Sequence, residues 1–220
     1  RGVLKKFING ARAAEHGEKG DPINLARHDE FEALADAING LMDRDKAIRD
    51  ANEDPLTGLA NRRYIMQRLD YFIGQQVPLA VMFIDLDGFK PINDEYGHKK
   101  GDQVLEFAAN ILNKFVLPDN FVYRWGGEEF VCVFTNTSLD EIVKITDNIH
   151  QLFENANWQK LGIGKQTVSI GIACTEPTSI KNFENLFKLA DCASYTAKKK
   201  GRNQTVIANK KIKEECFKEI

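Results

Sequence analysis

The sequence is short of several features, and each shortage narrows what the protein can be. Its 220 residues contain no apolar run near the roughly 18 residues that a membrane-spanning helix needs, and no secretory leader opens the chain. This stretch is therefore expected to be cytoplasmic. A basic excess is also missing, since 30 Lys and Arg against 32 Asp and Glu leave a formal charge of -2. No nucleic-acid partner is expected, and any nucleotide the chain handles should be a small molecule met at a local site. Cysteine is sparse: Cys132, Cys174, Cys192 and Cys216 lie far apart, with no Cys-x-x-Cys pair or metal-finger spacing. That pattern predicts reduced, structural thiols. What is plentiful is apolar surface, because 43% hydrophobic residues suffice for one ordinary domain with a core and a smaller appended segment.

The appended segment comes first. The opening residues are charged and poor in β-branched side chains, and they carry apolar residues at helical spacing. Leu4, Phe7, Ala11 and Ala14 mark one helix, and Gly17 to Pro22 interrupts it. Phe31, Leu34, Ile38, Leu41 and Ile48 mark a second helix with a coiled-coil seam. Asp45 falls on that seam, either as a register-fixing polar group or as part of a solvated helix end.

From Asp54 the pattern changes to alternating helices and strands. Asn61 can cap a helix that Gly74 ends, and Leu79 to Ile84 reads as a central strand covered on both faces. A helix is expected near 101–116, a hairpin over Phe121 to Trp125 and Glu129 to Phe134, and another helix over 139–153. Val168 to Cys174 reads as a strand, Phe183 to Lys199 as a helix and Thr205 to Ile207 as a short strand. Together they predict an α+β domain, a sheet with helices on its faces.

Asp85 and Asp87 end the buried strand two residues apart, which places them on one face by strand geometry. Gly126-Gly127 reads as a tight turn that delivers Glu128 and Glu129 to the same end of the sheet. Two like charges about 4 Å apart repel by roughly 4 kcal/mol at an effective dielectric of about 20, so the cluster calls for protons or a divalent cation. Oxygen-only ligands favour Mg2+ or Mn2+.

Four motifs stand in one order. They are Asp54-Pro55-Leu56-Thr57-Gly58-Leu59-x-Asn61-Arg62, the Asp85 to Lys90 run, Asn93-Asp94-x-x-Gly97-His98-x-x-Gly101-Asp102, and Arg124-Trp125-Gly126-Gly127-Glu128-Glu129-Phe130. The stretch from about 50 to 208 thereby resembles the GGDEF family of diguanylate cyclases in its GGEEF variant. The resemblance implies a nucleotidyl-cyclase palm-like domain, its central and mainly antiparallel sheet flanked by helices. It also implies condensation of two GTP into cyclic di-GMP with release of two pyrophosphates.

Carried onto these positions, the resemblance implies that Asp85, the backbone carbonyl of Leu86 and Glu128 bind Mg2+ or Mn2+, two ions per site. Glu128 would help deprotonate the ribose 3′-hydroxyl, and Lys90 would steady charge on the α-phosphate. Asn93 and Asp102 would read guanine, with His98 lining that pocket. Backbone N–H groups near Gly88 and Phe89 would cradle phosphates, and Lys198 and Arg202 would hold the triphosphate tail. Taken singly, His98 beside Lys99 and Lys100 also reads as plain surface, and Lys198 to Lys200 as a helix C-terminus favoured by its dipole. The family's inhibitory product site, Arg-x-x-Asp ahead of the hairpin, is replaced here by Leu117-Pro118-Asp119-Asn120. No product brake is expected there.

The helix, connector, helix pattern, with Asp29-Glu30-Phe31 opening its second helix, resembles a HAMP signal-relay module; a plain dimerising stalk is the alternative. The expected divisions are 1–45 for this segment, 46–54 for a linker helix, 55–208 for the cyclase domain and 209–220 for a C-terminal tail. The HAMP resemblance implies a membrane anchor upstream of Arg1, making this the cytoplasmic part of an inner-membrane protein. Two GTP must face each other, so the expected active species is a homodimer. The rival is a catalytically silent relay that binds GTP or a partner.

Overall fold

The computed structural model describes residues 30–74, 77–115, 120–174 and 183–217. The chain divides into two units, Arg1–Glu53 and Asp54–Ile220. In the first, the described residues form one helix, α1 (Glu30–Asn52). Leu34, Leu41 and Ile48 recur every seven residues along it and are 50%, 59% and 54% exposed. They form a one-sided apolar stripe of the kind a seam helix presents. Asp45 is paired with Arg49 one turn on, inside a helix that continues beyond it. The helix expected over Leu4 to Ala14 and the connector from Gly17 to Pro22 lie outside the described residues.

The second unit is built on a six-stranded sheet of order β1-β3-β4-β2-β5-β6. These strands are β1 (Ala60–Asn61), β2 (Leu79–Leu86), β3 (Asn120–Gly126), β4 (Glu129–Thr135), β5 (Val168–Cys174) and β6 (Gln204–Ile207). All eight residues of β2 are buried, as its unbroken apolar run predicts for a strand covered on both faces. It pairs antiparallel with β4 and β5, and β3 pairs antiparallel with β4. The short edges β1 and β6 add in parallel. The sheet is thus antiparallel through its centre and parallel at both rims, a rim pairing that the sequence pattern did not reveal.

Period-two alternation distributes β2 between two layers. Leu79, Val81 and Phe83 pack with Ile65 and Leu69 of α2 (Arg62–Gly74), and with residues 183, 186 and 190 further along the chain. Ala80, Met82, Ile84 and Leu86 face the opposite core, to which α3 (Phe89–Tyr96), α4 (His98–Leu112) and α5 (Leu139–Asn155) contribute. Helix α3 was not foreseen, and α4 starts earlier and ends earlier than expected, a 3₁₀ turn at Asn113–Phe115 following it. The first layer is completed by α6 (Phe183–Lys199), which lies directly on β5. Gly171 permits that approach: a Cβ there would stand 2.1 Å from the Ala190 carbonyl oxygen and 2.2 Å from the Ser194 nitrogen.

Residues after β6 form α7 (Lys210–Cys216), whose Cys216 is disulfide-bonded to Cys192 of α6. This corrects the expectation of four reduced thiols; Cys132 and Cys174 remain free. A separation of 24 residues carries no pairing signal in a sequence. Only the packing of α7 on α6 brings the Cα atoms to 6.1 Å, within bonding reach. Among the described residues no helix is long and apolar enough to cross a membrane.

Candidate active site

The end of β2 and the β3–β4 turn meet by register. Asp85 is the cross-strand partner of Glu129, and the Leu86 N–H donates to the Glu128 carbonyl oxygen at 3.3 Å. The apex of that turn is Gly127-Glu128, one residue later than the Gly126-Gly127 turn expected, because Gly126 still pairs with Glu129 across an irregularity after Arg124. Gly127 takes φ 51°, which glycine accepts without strain at the first position of a hairpin turn. Arg124 fixes the turn from below: its Nε and Nη2 donate to the Gly127 carbonyl at 3.1 and 2.9 Å.

Beyond β2, Gly88 at φ 71° turns the chain into α3, which places Phe89 and Lys90 on its first turn. A pocket of about 560 Å³ opens at this corner. Of the expected site residues it brings together Leu86, Gly88, Phe89, Lys90, Glu128, Lys198 and Arg202, with Asp87 and Pro91 completing the wall. Lys198 arrives from the last turn of α6, and Arg202 from the bend that follows.

The carboxylates do not all converge as expected. Asp87, though in the pocket wall, spends its carboxylate on neighbours other than the cluster, accepting from Thr167 Oγ1 and Ser169 Oγ, each at 2.7 Å, and from the Asn203 N–H at 3.0 Å. The strand period stops governing its direction once β2 ends at Leu86. Asp85 accepts from Lys198 Nζ at 2.5 Å, so the ammonium assigned to a triphosphate tail is spent on a carboxylate in this structure. Asp85 Oδ1 is buried and meets no hydrogen-bond partner among the described residues. Burial, helped by the Glu128 and Asp87 charges, pushes its carboxyl up to about 6 against the pull of Lys198. Glu129 is also pushed above the usual carboxylate range, chiefly by burial and then by Asp85, Asp191 and Glu128.

An orphaned carboxylate oxygen beside two glutamates is a donor set that fits a hard divalent cation. Among the described residues no three His, Cys, Asp or Glu side chains form a ready cage.

Asn93, His98 and Asp102 are not in the wall of this pocket. They sit at the α3–α4 corner, His98 and Asp102 exposed on the first turns of α4. Asn93 Oδ1 is buried without a partner among the described residues, lying 1.9 Å from where a Cβ on Gly101 would stand. Leu117 lies outside the described residues, and Asn120 is buried at the start of β3. Trp125 stacks on Phe187 with centroids 3.8 Å apart, and Phe130 is fully buried, so both are packing groups. Sequence reasoning gave no role to Arg124 or Asp191. A spacing of seven from Lys198 on one helix would have placed Asp191 on the same side as the lysine, whereas Arg124 opened the fourth motif with no role attached to it.

Comparison with known proteins agrees with this architecture. Residues 51–204 match the family described as "Diguanylate cyclase, GGDEF domain". The probable diguanylate cyclase DgcT of Escherichia coli is 35% identical over 162 residues, covering 71% of this chain and 36% of that protein. Diguanylate cyclase DgcM of Escherichia coli is 38% identical over 164 residues, covering 72% of this chain and 38% of that one. The chain thus spans well under half the length of these relatives. Among solved structures, the coiled coil and GGDEF domain of DgcB from Caulobacter crescentus, in complex with c-di-GMP, superposes with a TM-score of 0.71. It is 27% identical, and the match covers 80% of this chain and 96% of that one. The chain belongs to the GGDEF-domain diguanylate cyclase family.

Proposed function

We propose that this chain condenses two GTP into cyclic di-GMP and two pyrophosphates, working as a homodimer in which two such sites face each other. The observation that carries this is the Leu86–Glu128 backbone bond, which brings Glu128, a residue of the pocket wall, to the end of β2 where Asp85 Oδ1 is left without a partner, while Lys90, Lys198 and Arg202 line the same pocket. Glu128 accepts the proton of the attacking 3′-hydroxyl. Lys90 and Arg202 offset the charge that grows on the phosphates, while backbone N–H groups at Gly88 and Phe89 orient them. Asn93 and Asp102, with His98 near them, read guanine, the Asp102 carboxylate accepting from its N1–H and amine, a donor pair that adenine does not offer. Asp85, the Leu86 carbonyl and Glu128 would hold divalent cations, two per site, whose charge lowers the hydroxyl pKa and neutralises the phosphates. Lys198 has two anions to choose between, Asp85 and the triphosphate tail.

The exposed Leu34, Leu41 and Ile48 stripe supports dimerisation through α1, and a HAMP-like relay below a membrane anchor is the role we assign to the N-terminal unit. Incubation with GTP and magnesium, followed by chromatography of the products beside Glu128→Ala, tests the activity. Cyclic di-GMP from the native chain alone supports it. A confirmed dimer that binds GTP and yields no product would instead identify a silent relay.

A further inference from the structure

After α6 the backbone passes through three successive left-handed residues, Gly201, Arg202 and Asn203, at φ 115°, 65° and 46°. Glycine adopts this region freely and asparagine tolerates it, but an arginine there is strained and stays only where its surroundings over-determine it. Local bonds hold one side of the bend: the Arg202 N–H donates to the Ala197 carbonyl at 3.1 Å, and Gln204 Nε2 donates to the Arg202 carbonyl at 3.2 Å. The other side is held from across the sheet. The Asn203 N–H donates to Asp87 Oδ2 at 3.0 Å.

Asp87 is suited to that task. Its carboxylate is pinned to β5 and the residue before it by Ser169 Oγ on Oδ1 and Thr167 Oγ1 on Oδ2, both at 2.7 Å, and its own N–H donates to the Thr167 carbonyl at 2.9 Å. Three donors meet an acceptor-only group; an amide of the same shape would turn an NH₂ toward one of them. Asp87 and Arg202 also line the same pocket.

We propose that Asp87 is a positioning residue, whose carboxylate locks the strained Arg202–Asn203 bend so that the Arg202 guanidinium meets the terminal phosphates of a nucleoside triphosphate. The proposal rests on the reading of Arg202 as a phosphate ligand. It gives the second aspartate of the Asp85-x-Asp87 pair a role separate from cation binding.

The test is equilibrium binding, with magnesium, of a non-hydrolysable GTP analogue and of GMP, which lacks the β- and γ-phosphates. Proteins compared are the native chain, Arg202→Ala, Asp87→Asn, the double variant and Thr167→Val, which keeps side-chain shape and deletes one donor to Asp87. Arg202→Ala and Asp87→Asn are each expected to weaken the analogue about tenfold, the loss of one charge-assisted contact, and to leave GMP unchanged. The double variant should bind no more weakly than either single, because both remove one interaction. Thr167→Val should weaken the analogue by a smaller factor in the same direction. If Arg202→Ala leaves analogue affinity unchanged, the phosphate reading of Arg202 fails and the proposal with it. If Arg202→Ala weakens the analogue but Asp87→Asn adds its full effect on top, or weakens GMP equally, the positioning role is overturned alone. Should Asp87→Asn fail to fold, Thr167→Val and its combination with Arg202→Ala decide by the same criteria.

Discussion

Arg124 joins Asp54, the first residue of the second unit, to the turn that carries Glu128. Its Nη1 lies 3.1 Å from Asp54 Oδ1 while its other nitrogens hold the Gly127 carbonyl. Asp54 also accepts from the Thr57 backbone and hydroxyl, at 2.8 and 2.7 Å. One guanidinium therefore ties the entry of the domain to its signature turn. Burial raises the Asp54 carboxyl, but the Thr57 and Arg124 hydrogen bonds outweigh it and hold the group below its ordinary value. A depressed folded pKa contributes stability that is present above the unfolded value, near 3.8, and is lost as pH falls through the folded one. Asp54→Asn should thus cost about 1–2 kcal/mol at pH 7, and the gap to the native chain should close below pH 4. Urea titrations at the two pH values check this; a gap independent of pH would contradict it.

Arg124→Ala is expected to cost more activity than stability. It frees the Gly127 carbonyl and with it the seating of Glu128, so cyclic di-GMP formation should drop at least about tenfold in a protein that stays folded. Initial rates beside circular dichroism separate the two effects. Native rates from the variant would show that the Leu86–Glu128 bond alone seats the turn.

Gly101 leaves room for Asn93 Oδ1 at the α3–α4 corner. A methyl group added there would collide with Asn93 Oδ1, so Gly101→Ala should raise KM for GTP about tenfold while lowering stability by about 1–2 kcal/mol. Competition by guanine nucleotides should weaken in parallel. Unchanged KM would mean that Asn93 takes no part in base recognition.

Gly171→Ala offers the contrasting case of a purely structural substitution. Its Cβ would drive into the Ala190 carbonyl and the Ser194 nitrogen, backbone atoms that cannot turn aside. A loss of about 3 kcal/mol or more is expected, read as a fall in urea midpoint. A smaller loss would mean that α6 slides readily on β5.

The Cys192–Cys216 bridge closes a segment of 24 residues, a loop whose constraint is worth about 3 kcal/mol. Reductant should lower the melting temperature of the native chain and leave Cys216→Ser unaffected. Equal shifts in both would indicate that the bridge does not form in solution.

Leu41→Asp with Ile48→Asp should split a dimer held by α1, because two buried carboxylates per chain cannot be desolvated without partners. Cyclic di-GMP production should fall at low protein concentration and recover in part at high concentration, with sedimentation following the same curve. Full activity in a monomer would end the dimer proposal.

The folded elements were largely legible because their periods are strong. β2 is a solid apolar run, β5 alternates cleanly, and α5 and α6 repeat apolar residues at helical steps; all four emerge near the expected residues. The two-residue β1 and the short α3 escaped, since so few residues cannot carry a period. In the site, the pocket gathered the expected phosphate-facing set, while Asn93, His98 and Asp102 stand outside its wall.

The sequence alone determined the layers of the fold and the end of the sheet at which Asp85, Glu128 and Glu129 gather, because apolar period, glycine placement and short motifs are local properties. It also determined the family, through motifs kept in order along the chain. Tertiary structure decided which groups meet. Asp87 turns to Thr167, Ser169 and Asn203 rather than to Asp85, Lys198 takes Asp85, Arg124 bridges Asp54 to Gly127, and Cys216 reaches Cys192. Apart from Arg124 on Gly127, each of these contacts joins residues at least 24 positions apart in the chain, and a buried charge takes whichever partner packing brings within a few ångströms. No spacing in the sequence encodes that distance.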